Sequence, residues 1–403
     1  MRLVTTDLSG FARRSPAFFG GVRKAAMGRR VAILALSGGG SNGAFGAGAL
    51  VGLTRSGARP RFDLVTGVSA GALIAPFAFL GPSWDAQLEQ AFTGRDGHLP
   101  SISPFWGILS RLLFPLGVGL HDALHDLVDR FVTPVMIDAV ARETTKGRRL
   151  VVATTDLDTR ETVLWNMGVI AQRGGEKARR LFRDVLVASA SVPGIFPPVL
   201  IQVREGDQRY DEMHVDGGIT TAVFTFPLIA SIRPQDLPRL RGADLYMIIN
   251  GQLATRPRTT PVNTVDVLAN SFDAILTYGT REAVVRMVEL THRLQMQFRM
   301  TEIPVDYPAL SFTDFRPQYM REVFAYGETC AARGELWISP EQSLRRNMHP
   351  LPTGESGAPR CPAATGTVVK AGAEAAMRVA GGRGEFRLVE RNKRNLKRTG
   401  LTH

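Results

Sequence analysis

The chain has 403 residues, 44% of them hydrophobic and 21% charged, with a formal net charge of +12 and two cysteines. This length and apolar content call for one large core with appendages. Two cysteines exclude a Cys-rich scaffold, and no Cys/His spacing suits a metal ion.

The charge sits at the ends: residues 1–30 are net +6, residues 339–403 net +7, and the stretch between them net −1. A nucleic-acid-binding core would carry its basic groups on one folded face, so no nucleic-acid partner is expected. Basic ends suit a peripheral contact with anionic membrane, or serve solubility alone. No run of about 18 uncharged apolar residues occurs, so no spanning helix is expected. The first apolar run is too short for a secretory signal, which points to a cytoplasmic protein or one peripheral at the membrane.

In chain order, residues 1–30 read as a poorly ordered basic arm. Val31 to Leu36 is apolar without alternation and predicts a fully buried strand. It runs into Ser37-Gly38-Gly39-Gly40-Ser41-Asn42-Gly43, a glycine loop opening a small-residue helix. Leu64 to Val68 predicts a second buried strand, followed by the packed helix that starts at Ala70. Residues 84–93 and 121–146 have helical spacing. Pro104 to Pro115 is apolar with a single charge and reads as a helix over the core or a cap over an acyl groove. Strands are predicted at 149–156 and 161–166, and a helix at 176–189. A proline-fixed loop at 190–198 precedes a strand from Tyr210 to Val215. Another buried strand spans Leu245 to Asn250, and one or two long helices cover 262–298.

Past Trp337 the composition turns Pro/Gly/Ser-rich, so 339–366 reads as a linker. Cys361 lies within it, which argues against a disulfide. Residues 367–403 form a basic tail with helical spacing of Arg383, Arg387, Arg391, Arg394 and Arg398.

Three stretches could do chemistry. Gly67-Val68-Ser69-Ala70-Gly71 fits the G-x-S-x-G elbow, where a strand turns sharply into a helix and presents a serine hydroxyl. Gly38-Gly39-Gly40, directly after a strand, can turn successive N–H groups into one concavity that stabilises a developing oxyanion. Asn42 and Gly43 continue this loop. Asp216-Gly217-Gly218 places a carboxylate at a strand end where two glycines open the backbone. Of the seven histidines, none sits where an α/β hydrolase would carry its base. His214 reads as a packed core residue.

The glycine loop, the Ser69 elbow and Asp216-Gly217-Gly218, in that order and joined by Ala188–Pro198, resemble the patatin-like phospholipases over residues 31–338. The resemblance implies a three-layer α/β/α sandwich around a mainly parallel sheet. It implies a lipid acyl hydrolase acting on acyl esters through an acyl-enzyme, with Ser69 as nucleophile, Asp216 as base and Gly38–Gly40 as oxyanion donors, and with no metal or cofactor. Two positions depart from the family pattern: Ser37 stands for its usual acid and Asn42 for its usual cation. They leave room for a catalytically weak membrane-binding or scaffold protein. A dinucleotide-binding reading also exists, because Gly38-x-Gly40-x-x-Gly43 is followed by Asp63 at the nominal spacing of a ribose-binding acid. That reading leaves Ser69 and Asp216 unused.

Overall fold

The computed structural model describes residues 2–4, 8–94, 118–205, 207–230, 234–255, 257, 259, 260, 262, 264–308, 311–351 and 359–364. These belong to one unit, Met1–Ala364, with Thr365–His403 a second. The Pro104–Pro115 segment and the basic tail lie outside the described residues.

The elements run β1 (Arg2–Val4), α1 (Leu8–Ala25), β2 (Ala32–Leu36), α2 (Gly43–Arg55), β3 (Leu64–Gly67), α3 (Ala70–Leu80), α4 (Asp85–Thr93), α5 (Val118–Phe131), α6 (Pro134–Thr145), β4 (Arg149–Asp156) and β5 (Glu161–Asn166). They continue α7 (Met167–Arg173), α8 (Gly175–Ala190), β6 (Val199–Glu205), β7 (Gln208–Asp216), α9 (Thr225–Ala230), β8 (Asp244–Ile248), α10 (Thr264–Arg293), β9 (Gln297–Thr301), α11 (Pro317–Ala332) and α12 (Pro340–Met348).

Alternation along the strands produces the layering. All five residues of β2 are buried. Ala32, Leu34 and Leu36 join one apolar cluster, Ile33 and Ala35 another. In β3 and β4, Val65, Leu150 and Val152 join the first cluster, while Leu64, Val151 and Ala153 join the second. A strand apolar on both sides needs helices on both. Phe45 of α2, Ile74 of α3, Phe182 of α8 and Phe324 of α11 complete the first layer. Phe19 of α1, Ile229 of α9 and Met287 of α10 complete the second. Each such side chain contributes about 1.5–3 kcal/mol on full burial. The result is a helix–sheet–helix sandwich.

The sheet order is β1-β5-β4-β3-β2-β8-β9, with β7 joined to β4 and β6 to β7. The five central strands from β4 to β9 are parallel, and β5 and β1 add antiparallel strands at one side. One side of β4 serves two strands in succession. β3 pairs with it up to Gly67↔Val152 and then leaves as the elbow. β7 comes in antiparallel and ends on it at Asp216↔Thr154. The ends of β3 and β7 therefore meet two residues apart along the same neighbour, and this register brings the chemistry together.

Two expectations are corrected here. Residues 1–30 are not a poorly ordered arm: α1 occupies most of them, with Phe19 and Val22 fully buried. The basic charge masked apolar positions at 18, 19, 22, 25 and 26, which share one helical face. The 339–366 stretch is not a bare linker either. Ser339 caps α12 in a reciprocal capping box with Gln342, and Arg346 of α12 forms a buried pair with Asp306 (Nη2–Oδ2 2.8 Å).

The disulfide expectation also fails: Cys330 of α11 is bonded to Cys361, both buried. The bridge closes a loop with a sequence separation of 31. Cys330→Ser should lower stability by about 3 kcal/mol, read as a drop in the urea midpoint at unchanged slope.

Candidate active site

Ser69 stands between β3 and α3 with φ 55° and ψ −129°, a backbone conformation few non-glycine residues adopt. Such strain persists only where the surroundings enforce it. The enforcing contacts are visible: the Ser69 N–H donates to Ser189 Oγ (3.1 Å), whose own hydroxyl donates to the Ala153 carbonyl (2.7 Å). Gly71 must be glycine because a Cβ there would lie 2.6 Å from the carbonyl oxygens of Leu36 and Ser37. Gly67 likewise lies against the Gly71 backbone.

The glycine loop follows β2 and is fastened to the end of β8. Asn250 N donates to Ser37 Oγ (2.9 Å), and Asn250 Nδ2 donates to the Ser37 carbonyl (2.8 Å). Asn250 Oδ1 accepts from Gly46 N (3.1 Å). Gly39 has φ 159°, and any Cβ on it would collide with the Asn250 carbonyl. Gly38 lies directly against Ser69, since a Cβ on it would be 3.6 Å from Ser69 Oγ. Among the described residues, the N–H groups of Gly38, Gly39 and Gly40 donate to no backbone acceptor outside helices and strands. Gly43, where α2 begins, packs against Ala70.

Asp216 is fully buried, and Ser69 is 2% exposed. Asp216 Oδ1 accepts from Gly218 N (2.7 Å). Oδ2 is buried without a well-aligned hydrogen bond, yet the Ser69 hydroxyl is close enough to act on the carboxylate. Burial pushes the Asp216 carboxyl up to about 7, against smaller lowering effects of the Ser69 hydroxyl and the Gly218 N–H. Gly217 lies on Ala153 and Val68.

Two pockets flank the glycine loop. One, of about 90 Å³, is apolar and runs from Gly40, Ser69 and Ala70 past Leu73, Phe77, Phe131 and Phe196. The other, of about 260 Å³, has a mixed lining in which Ser37, Asn42, Asn250, Gln252 and Asp273 stand among apolar residues such as Leu276 and Val305. Phe312 borders both. The departures at Ser37 and Asn42 acquire a local account: Ser37 is committed to Asn250, and Asn42 Oδ1 accepts from the Tyr319 hydroxyl (2.5 Å).

His214 is fully buried, with its ring nitrogens 3.0 Å from Thr154 Oγ1 and 3.2 Å from Glu212 Oε2. Burial holds its pKa below the usual imidazole value. It is a packed histidine, as its sequence position suggested. The dinucleotide reading fails at Asp63. That carboxylate is buried at the start of β3 and accepts from Ala32 N (3.0 Å) and Arg29 Nη2 (3.1 Å), with no room for a ribose. Among the described residues no cluster of three or more His, Cys, Asp or Glu could hold a metal ion, and no helix is long and apolar enough to cross a membrane.

Several contributors were not legible in sequence: Ser189 behind the elbow, Asn250 behind the loop, Tyr319 on Asn42, and Leu276 over the site. Ser189 and Asn250 lay within or beside stretches already singled out. Their roles depend on strand pairing that no local pattern reveals.

A strained serine at a strand–helix elbow, next to a glycine loop on a mainly parallel sheet between helical layers, defines the class of acyl-ester hydrolases. Residues 34–229 match the family model described as patatin-like phospholipase, and this segment holds the glycine loop, Ser69 and Asp216. Among solved structures, the chain is similar to that described as "Crystal structure of VipD from Legionella pneumophila", at 13% identity and a TM-score of 0.34, covering 78% of this chain and 68% of that one. No curated protein matches the chain.

Proposed function

We propose that the protein is a serine lipid acyl hydrolase in which Ser69 attacks an acyl ester and Asp216 is its general base. The observation that carries this reading is the meeting of Ser69 and Asp216, buried at the ends of β3 and β7 beside the Gly38–Gly40 loop. The Ser69 hydroxyl adds to the ester carbonyl as its proton passes to Asp216 Oδ2. The oxyanion accepts hydrogen bonds from N–H groups of Gly38–Gly40, which cost no reorganisation because Asn250 already fixes the loop. The tetrahedral adduct expels the alcohol, which takes the proton back from Asp216 and leaves an acyl-Ser69. Water, deprotonated by the same carboxylate, then releases the fatty acid and restores the serine.

A carboxyl with an ordinary pKa near 4 would be a feeble base for an alcohol. One raised to about 7 is far better matched, and transfer concerted with attack avoids a free alkoxide. The apolar pocket suits the acyl chain, and the larger mixed pocket on the other side of the loop, with Asn42, Gln252 and Asp273 in its lining, suits the alcohol half. No cofactor is required by this chemistry. The Cys330–Cys361 bridge favours an oxidising compartment over the cytoplasm expected from the sequence, since cytosolic thiols are kept reduced.

The test is to treat the full chain with a fluorophosphonate and map the labelled peptide, alongside nitrophenyl esters of increasing chain length. Labelling on Ser69 and a rise in kcat/KM with chain length are expected. An unlabelled wild type would favour a scaffold role.

A further inference from the structure

The first half of α10 covers the site. Phe272 and Leu276 are buried with Val192, Ala222 and Phe312 in a small apolar cluster. Leu276 lies against both Gly38 and Gly218, between the glycine loop and the Asp216 corner. Ser69 and Asp216 owe part of their burial to this contact, so an acyl ester reaching them must pass the edge of α10.

The outer face of the same half-helix is unusual. Val267, Leu268, Ser271, Ala274, Ile275 and Tyr278 are exposed at spacings of three and four, on one face that has no charged residue of its own, the Arg281 guanidinium lying over the Tyr278 ring at its far end (5.1 Å to the ring centre). Leu268, Ile275 and Tyr278 are 51%, 48% and 68% exposed. A surface helix normally sets its charged residues on that side. Farther along, where α10 packs on the second core cluster, the outer face does become charged, with Glu282, Arg286 and Glu289. The uncharged face is therefore confined to the part of the helix above the site. It is continuous with the Val192–Phe196 loop, because Leu268 packs on Gly194 while Val192, Ile195 and Phe196 line the apolar pocket.

We infer that the outer face of α10 from Val267 to Tyr278 is the surface by which this protein seats on a lipid–water interface. The inference rests on the hydrolase reading for its purpose but not for its test. An apolar face beside the mouth of an acyl pocket needs an apolar occupant. A lipid surface supplies one that also delivers the substrate chain to Phe196 without crossing water. The contact is apolar rather than ionic, so it differs in kind from attraction of basic tails to anionic lipid: it requires no anionic headgroup and resists salt.

The experiment compares the full-length wild type with the triple variant Val267→Ser, Ile275→Ser and Tyr278→Ser, all on the exposed face. Co-sedimentation uses pure phosphatidylcholine vesicles in about 0.5 M NaCl, where the Debye length is only about 4 Å. Hydrolysis of a monomeric, water-soluble butyrate ester is measured in parallel. Wild type is expected to bind, the variant to lose about a hundredfold in partitioning, and both to hydrolyse the soluble ester equally. Equal vesicle binding by the two proteins would overturn the inference, as would no binding by either. So would a dimer in gel filtration that only the wild type forms, because a second copy would then cover the face. If neither protein cleaves the soluble ester but wild type alone binds vesicles, the hydrolase reading falls and the docking surface stands.

Discussion

Ser69→Ala and Asp216→Asn should each lower kcat/KM for a medium-chain ester by about 10⁴-fold or more, and the double variant should be little worse than either single one. The expectation follows from the way the two side chains share a single step. Without the hydroxyl there is nothing to acylate. Without the carboxylate the proton has no acceptor, since Asp216 is buried and His214 is engaged by Thr154 and Glu212. Asparagine keeps the shape and can still accept from Gly218 N, so the loss in Asp216→Asn reports proton transfer rather than collapse of the corner. Labelling separates the roles further. Ser69→Ala should lose fluorophosphonate labelling entirely, while Asp216→Asn should label slowly, because the nucleophile remains but is not activated. Retention of more than a tenth of wild-type turnover by Asp216→Asn would remove the carboxylate from the mechanism. In that event a histidine dependence, with His214→Gln tested first, would have to appear in its place.

What the sequence made legible was local. The elbow at Ser69 and the loop at Gly38–Gly40 are each set by a strand, a turn and a helix contiguous in the chain, although only Gly67 is required by a neighbour a few residues away; Gly71 meets Leu36 and Ser37, Gly39 meets Asn250 and Gly40 meets Phe312. Asp216, some 150 positions downstream, stood out as a carboxylate at a strand end before two glycines, but the physical reason it meets Ser69 lies in the register of β4. Val152 is the last residue to pair with β3, and Thr154 pairs with the last residue of β7. Nothing in the sequence of β4 announces that its neighbour changes between those two positions. The same limit explains Ser189 and Asn250, ordinary polar residues whose value comes from what the sheet sets beside them. α10 was predicted as a helix, but that it lies over the site depends on Leu276 fitting between two glycine corners. The missed elements have a different cause. In α1 and α12, charge and proline content outweighed signals that were present: apolar spacing around Phe19 in one, and the Ser339/Gln342 capping box in the other. The Cys330–Cys361 bridge was misjudged because composition alone made the second cysteine look unstructured.

The raised pKa of Asp216 should appear twice, in rate and in stability, with opposite consequences of raising pH. In rate, the base must be ionised. kcat/KM should therefore rise with pH to a plateau governed by an apparent pKa of about 7, and fall about tenfold per unit below it, so that pH 5 lies about a hundredfold under the plateau. A base of ordinary acidity would leave the profile flat to about pH 5. In stability the sign reverses. An Asp whose folded pKa of about 7 exceeds its unfolded value binds more protons in the native state than in the unfolded one across the interval between them. Its favourable contribution is complete below about pH 4 and is lost as pH rises through about 7, because folding then buries a carboxylate ion that has only Gly218 N and the Ser69 hydroxyl to stabilise it. Asp216→Asn carries no charge at any pH and escapes that penalty. It should be more stable than wild type at pH 8, by at most about 4 kcal/mol for a shift of about three units. The advantage should shrink to nothing by pH 4, where the wild-type carboxyl is neutral in both states. Urea titrations of the two proteins at pH 4 and pH 8 measure this difference without reference to substrate. A stability gap that stays constant between those pH values would mean the carboxyl is not held up by burial. The rising limb in kcat/KM would then belong to another group. A gap that opens with pH alongside an activity limb near 7 would tie both to one buried carboxylate, whose ionisation costs the fold stability and enables attack by Ser69.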